Sequence, residues 1–209
     1  MKTEDFIHDL ATRTAPPAAK RSSLVLFGLV GLALAGTAFV AIAGTRTDLG
    51  AAWPSTLLKM GFGALCVVAL LPVLRRAIGQ DLRIGAAARG VIGVVTLAGI
   101  VSAIGVAMTA EPLRLTLWTS GGVPDCLWQI PLIAVPIAAA LLFAARRFAP
   151  TRIGVAALTI GATAGALAAI PYSLFCPIDF APYVATWYTA AFAICGALGA
   201  IAGGRLLRW

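Results

Sequence analysis

The chain has 209 residues, of which 60% are hydrophobic and 11% are charged, and its mean hydropathy is +0.95. A soluble domain carries about 25% charged residues, so this composition excludes a soluble globular protein. The apolar runs are continuous over about 20 residues rather than alternating over about 10, which favours a bundle of membrane helices over a β-barrel. With a single histidine and no dense cluster of ionisable residues, the chain is poorly supplied for hydrolytic or phosphoryl-transfer chemistry.

The first 23 residues are polar and contain one short amphipathic stretch. Thr3 can cap a helix on which Phe6, Ile7 and Leu10 share one face, and Pro16-Pro17 ends it. Because about eight residues are too few for a stable isolated helix in water, this stripe suits a segment that becomes ordered on a partner protein. The other interpretation is a frayed tail lying on the lipid surface.

Six apolar segments follow, and they predict an all-α membrane protein with short loops and both termini on one side. The first segment exceeds the apolar core of a signal peptide, so it is taken as an uncleaved helix. Lys59, near the start of the second span, is expected to extend outward to water. Loops are predicted over 75–89, which is basic, and over 111–125. The predicted spans are 24–44, 55–74, 90–110, 126–145, 153–172 and 183–204, with a tail over 205–209.

Lysine and arginine are distributed unequally, with thirteen on the side of the termini and three, Arg46, Lys59 and Arg114, on the other. The positive-inside rule therefore predicts cytoplasmic termini in a bacterial inner membrane. The net charge of +8 then reflects topology, and no direct contact with nucleic acid is expected. A belt of aromatic residues is predicted at the outer interface. It consists of Trp53, Trp118, Trp128, Tyr172, Tyr183, Trp187 and Tyr188.

Two of the four cysteines, Cys126 and Cys176, fall at predicted outer ends of spans. The periplasm permits disulfides, so three interpretations are open: a structural disulfide, a redox- or metal-responsive thiol pair, or two unrelated cysteines. Cys66 and Cys195 fall in the middle of spans, where a cysteine is ordinarily a small inert hydrophobe.

Two aspartates lie close to this pair in the sequence, Asp125 beside Cys126 and Asp179 three residues after Cys176. Thiolates together with carboxylates can hold a soft or borderline cation. Alternatively, each aspartate caps the helix that follows it. Nearby carboxylates raise the pKa of a thiol, which argues against a fast nucleophile at rest.

Small residues predict close helix packing, because Gly161-x-x-x-Gly165 and Gly199-x-x-x-Gly203 permit the fifth and sixth spans to approach each other. Two other functional classes are open. A membrane thiol–disulfide oxidoreductase is disfavoured because the chain has no Cys-x-x-Cys motif. A small-solute transporter is disfavoured because the spans contain no conspicuous acid, arginine or histidine that would mark an ion path.

A set of motifs spread over essentially the whole chain resembles the NrsF family of six-helix bacterial inner-membrane anti-sigma factors. The motifs are Met1-Lys2-Thr3 with Phe6-Ile7 and Leu10-Ala11, the Cys126 break before a helix containing proline, Tyr172…Cys176-Pro177, Trp187-Tyr188, and the terminal Gly204-Arg205-Leu206-Leu207-Arg208-Trp209.

The resemblance implies a protein, not an enzyme and without a cofactor, that holds an extracytoplasmic-function sigma factor at the membrane. Release would follow heavy-metal stress, such as chromate or cadmium, with a heavy-metal ion as a transient partner. Carried over to this sequence, the sensing residues are Cys126 and Cys176. Asp125 and Asp179 are auxiliary candidates because of their positions beside these cysteines, and not because of the resemblance. The sigma-contacting residues would be Thr3, Phe6, Ile7 and Leu10, with a contribution from the loop over 75–89.

Overall fold

The computed structural model describes residues 22–79, 84–119, 124–148, 150 and 152–207, and within these ranges it contains helices and no strands. Six helices are long and apolar enough to cross a membrane, which confirms the predicted all-α architecture. The predicted sigma-contacting residues at the amino terminus lie outside the described ranges. The helices are α1 (Ser22–Ala43), α2 (Trp53–Ile78), α3 (Ile84–Ala107), α4 (Glu111–Thr119), α5 (Cys126–Ala145), α6 (Ile153–Tyr172) and α7 (Ala181–Leu206).

The predicted loops are shorter in the structure. Most of the basic loop over 75–89 is helical, since Arg75 and Arg76 lie in the last turns of α2 and Arg89 lies in α3. Arginines stabilise the carboxyl end of a helix, and their long side chains can reach water from within a span. The predicted loop over 111–125 is wrong in its first part, where α4 forms with Glu111 in its first turn.

Helix α6 is the centre of the bundle and contacts α1, α2, α5 and α7. Its contact with α7 depends on glycines that face one another. A β-carbon at Gly161 would meet the carbonyl group of Cys195 and would lie 3.0 Å from the α-carbon of Gly199. One at Gly165 would lie 2.9 Å from the sulfur of Cys195. The predicted close approach of the fifth and sixth spans is therefore confirmed.

Three connections meet at one end of the bundle, which is called the cysteine end because it contains Cys126 and Cys176. The α1–α2 connection reaches the α6–α7 connection through a backbone hydrogen bond from Arg46 to Leu174 (3.0 Å). Helix α4 covers the start of α7, where a π-helical turn spans Val184–Tyr188. Because α1 ends just before Arg46 and α7 begins just after Cys176, their other ends, Ser22 and Leu206, lie at the opposite end of the bundle.

Candidate functional site

The structure places Cys126 and Cys176 at the same end of the buried core of the bundle. Cys126 begins α5, and Cys176 lies in the irregular segment 173–180 between α6 and α7. Their exposed fractions are 0% and 1%, both are free thiols, and they lie close enough to interact electrostatically. A reagent in solution therefore reaches either sulfur only after the surrounding side chains move.

Three tyrosines surround the thiols. The hydroxyl of Tyr183 lies 3.6 Å from the sulfur of Cys126, and the rings of Tyr172 and Tyr188 meet edge to face at 5.8 Å. All three are at least 98% buried, so the prediction that they belong to an interfacial belt is wrong. A tyrosine combines a large apolar ring with one hydroxyl, and it suits a buried site that offers a polar neighbour.

The hydroxyl of Tyr188 lies beside the thiol of Cys176 and the hydroxyl of Ser173. Among the described residues it makes no hydrogen bond of good geometry, and neither does the side-chain carbonyl of Gln129 in α5. A buried polar group without a partner costs about 1–3 kcal/mol. The Tyr188 hydroxyl beside Cys176 is thus available to form a new hydrogen bond when the bonding at the sulfur changes.

Asp179 is bound by two cations from other parts of the chain. Lys59 approaches one carboxylate oxygen at 2.8 Å, and Arg46 approaches both at 2.9 and 3.1 Å. Arg46 also pairs with Asp48 at 2.7 and 2.8 Å. Burial acts to raise the pKa of the Asp179 carboxyl, but the hydrogen bonds from Arg46, Lys59 and Ser55 outweigh it and hold that pKa well below its usual range.

The expected outward extension of Lys59 is wrong, since its exposed fraction is 3%. Besides Asp179, its ammonium group donates to the carbonyls of Cys176 (2.8 Å) and Ile178 (3.1 Å), so all three protons have acceptors. A lysine at this depth is stable only because its charge is paired and its protons are bonded. The sequence signal was available: a lone lysine in an apolar span points to a partner of opposite charge.

Neither aspartate caps a helix with its side chain. Asp125 stands at the cap position of α5 without a capping bond, and its carboxylate accepts from the indole of Trp128 at 3.3 Å. The cap position of α7 belongs to Phe180, while Asp179 binds Lys59 and Arg46. The capping prediction is therefore wrong for both.

The cysteine end offers two thiols as soft ligands. Within the described ranges, no group of three or more histidine, cysteine, aspartate or glutamate side chains is arranged to hold a metal ion. The carboxylate of Asp179 is engaged by cations, so a soft ion would meet Cys126 and Cys176 first. Cys66 and Cys195 are buried in the same core but in the middle of α2 and α7, the latter against Gly165 in the α6–α7 contact.

Comparison with known proteins agrees with the architecture. The chain matches the NrsF family model, described as negative regulator of sigma F, over residues 10–209. It is 35% identical to the probable anti-sigma-F factor NrsF of Azospira oryzae and 33% identical to the anti-sigma-F factor NrsF of Caulobacter vibrioides, over the whole of each chain. No solved structure matches it. The resemblance found in the sequence motifs is confirmed, and the chain belongs to the NrsF family of negative regulators of sigma F.

Proposed function

We propose that this protein is an anti-sigma factor that holds an extracytoplasmic-function sigma factor at the inner membrane and releases it under heavy-metal or oxidative stress. The observation that carries the proposal is similarity over the full length to two anti-sigma-F factors. Six helices able to cross a membrane give such a protein its anchor. The excess of lysine and arginine on the side of the termini supports a cytoplasmic position for the sigma-binding parts.

The proposed contact with sigma is the segment 1–23, through the apolar face formed by Phe6, Ile7 and Leu10 after the cap residue Thr3. Its small surface is extended by the basic ends of α2 and α3, which lie at the opposite end of the bundle from the cysteines. An amphipathic segment that orders on its partner binds through its apolar stripe, and arginines around it favour an acidic partner surface.

The proposed sensor is the thiol pair Cys126 and Cys176. A soft cation such as cadmium would replace the two thiol protons and bind both sulfurs. An oxidant such as chromate would accept two electrons, with release of two protons and formation of one bond between the sulfurs. Either event changes the bonding between the start of α5 and the segment before α7. A coupling of about 1–3 kcal/mol between this end and the sigma site changes sigma affinity about 5–150-fold.

The test of sensing is a sigma-dependent reporter in cells that carry the double variant Cys126→Ser, Cys176→Ser. We expect loss of the response to cadmium and chromate while sigma is still held in unstressed cells. Cys66→Ser is the matched control, since it removes a buried thiol elsewhere in the bundle, and it should respond normally. A full response from the double variant would refute the sensing role.

The test of sigma capture is deletion of residues 2–14, followed by fractionation of membranes and detection of bound sigma. Loss of sigma from the membrane fraction, with the six-helix part still inserted, is expected. Sigma that stays bound would show that the amino-terminal segment is not the contact.

The two rival functions gain no support from the described residues. Lys59 is a buried charge of the kind that marks ion paths in transporters, but its protons are all bound by the protein. The four cysteines include no Cys-x-x-Cys motif for a thiol–disulfide oxidoreductase.

A further inference from the structure

We propose that Lys59 and Arg46 are positioning residues that keep the thiol of Cys176 buried, and that opening of their contacts with the segment 176–180 exposes this thiol to the stress signal. The inference rests on the proposed function, because it concerns how the proposed sensing thiol is controlled. The two cations and Asp179 thereby control the exposure of Cys176, although none of them takes part in the reaction of the thiols. The group of Lys59, Arg46 and Asp179 is called the ionic latch.

The ionic latch holds the backbone of an irregular segment. Lys59 donates to the carbonyl of Cys176 at 2.8 Å and to that of Ile178 at 3.1 Å. Arg46 donates to the carbonyls of Cys176 and Pro177 at 3.3 and 3.4 Å. The N–H of Cys176 still bonds to the carbonyl of Tyr172 at 3.0 Å, as a last helical turn does. The carbonyls of Cys176, Pro177 and Ile178 instead accept from the two cations, which supply the partners that these groups need when buried. Hydrogen bonds from charged donors are roughly twice as strong as neutral ones.

The two thiols are held in different ways. Cys126 is the first residue of α5, so its carbonyl is directed into the helix, and its sulfur neighbours Tyr183. Cys176 lies in the segment that the cations bind. Loosening the ionic latch should therefore expose Cys176 selectively and leave Cys126 in its helix.

The ionic latch also has room to open and a connection to the far end of the bundle. Lys59 and Asp179 border a cleft of about 250 Å³ between α2, α3 and α7, whose other lining is almost entirely apolar. Lys59 belongs to α2, and the same helix carries Arg75 and Arg76 at its opposite end. One continuous helix, α2, thus connects the surroundings of Cys176 with the end of the bundle where we propose that sigma binds.

The test compares the reactivity of each cysteine in Lys59→Met with that in the parent protein. The purified full-length protein in detergent is treated with N-ethylmaleimide, and modification of each cysteine is followed by peptide mass spectrometry. Methionine keeps the apolar stem and removes the ammonium group, while Arg46 continues to pair with Asp179. We expect Cys176 to react at least about tenfold faster and Cys126, Cys66 and Cys195 to react at their parental rates. The reason is that the carbonyls of Cys176 and Ile178 lose their charged donor, which favours opening of this segment.

The matched control is Arg114→Met, which removes a cation of the same end whose bonds run to Glu111 and the Thr109 carbonyl. It should leave all four rates unchanged. If Lys59→Met does not accumulate, Asp179→Asn replaces it, with the same selective increase expected at Cys176.

An unchanged rate at Cys176 would overturn the inference. A similar increase at all four cysteines would also overturn it, because that pattern indicates general loosening of the bundle. The modification rates are measured without sigma, so they do not depend on the proposed function. If the double cysteine variant still responds to metal, the sensing role is refuted, but the effect of Lys59 on the reactivity of Cys176 still stands.

Discussion

Replacement of Gly161 by alanine should weaken the contact between α6 and α7. The new β-carbon would meet the carbonyl group of Cys195 and would lie 3.0 Å from the α-carbon of Gly199. These are backbone atoms, so the clash is relieved only by moving one helix away from the other. Overpacking of this kind costs about 1–3 kcal/mol. Taking about 2 kcal/mol, the midpoint of thermal unfolding should fall by about 4–8 °C for a chain of this size.

Unfolding can be followed in detergent with a fluorophore that reacts with buried thiols as they become exposed. Cys195 serves as the reporter because it lies in the same contact. Gly93→Ala is the matched control: it makes the same chemical change within α3, where a β-carbon would meet nothing within 4 Å. If the two variants unfold within about 1 °C of each other, the close approach of α6 and α7 at Gly161 is refuted.

Two further predictions concern the cysteine end. The pKa of Asp179 is lowered in the folded protein, so its stabilising contribution is present above about pH 4 and is lost as the pH falls towards the folded pKa. Asp179→Asn should therefore lower the unfolding midpoint equally at pH 5 and pH 7 and less at pH 3; a deficit that grows on acidification would contradict this. Trp118→Ala should loosen α4, since it removes a ring that lies 5.8 Å from that of Trp187 and an indole that donates to the Thr186 hydroxyl at 3.4 Å, while the bond from Trp187 to the backbone carbonyl of residue 118 remains. Faster hydrogen exchange in Glu111–Thr119 but not in α6 is the expected result, and unchanged exchange would show that the contact does not hold α4.

Hydropathy was sufficient to predict the long helices. The predicted fourth and fifth spans coincide with Cys126–Ala145 and Ile153–Tyr172, because charged or polar residues stand immediately beyond their ends. The predicted second span stops before the end of α2, and the predicted third span begins after the start of α3 and runs three residues past its end. There the arginines lie within helical turns, so a change in polarity does not mark the end of a helix.

The ionic latch could not be predicted in the same way. Lys59 and Asp179 are 120 positions apart, and each residue taken alone has a common explanation as a surface lysine or a helix cap. Only packing of α2 against the central α6 brings the lysine to the segment that follows α6. The tyrosines were assigned to the lipid interface for a similar reason, since a position at the end of a span fits both an interfacial belt and a buried cluster.

The π-helical turn Val184–Tyr188 determines the phase of α7. From Tyr188 onward, Phe192, Cys195 and Gly199 follow at spacings of four, three and four residues, which places them on one stripe towards α6. In a regular α-helix, Tyr183 would be rotated by about 140° from Tyr188 and would leave this stripe. A π turn bonds residues five apart, so it returns Tyr183 to the same side, where it meets Cys126. Because of this one extra residue, the same helix contacts Cys126 through Tyr183 at its start and packs against the glycines of α6 along its length. If the extra residue were deleted, α7 could not make both contacts at once.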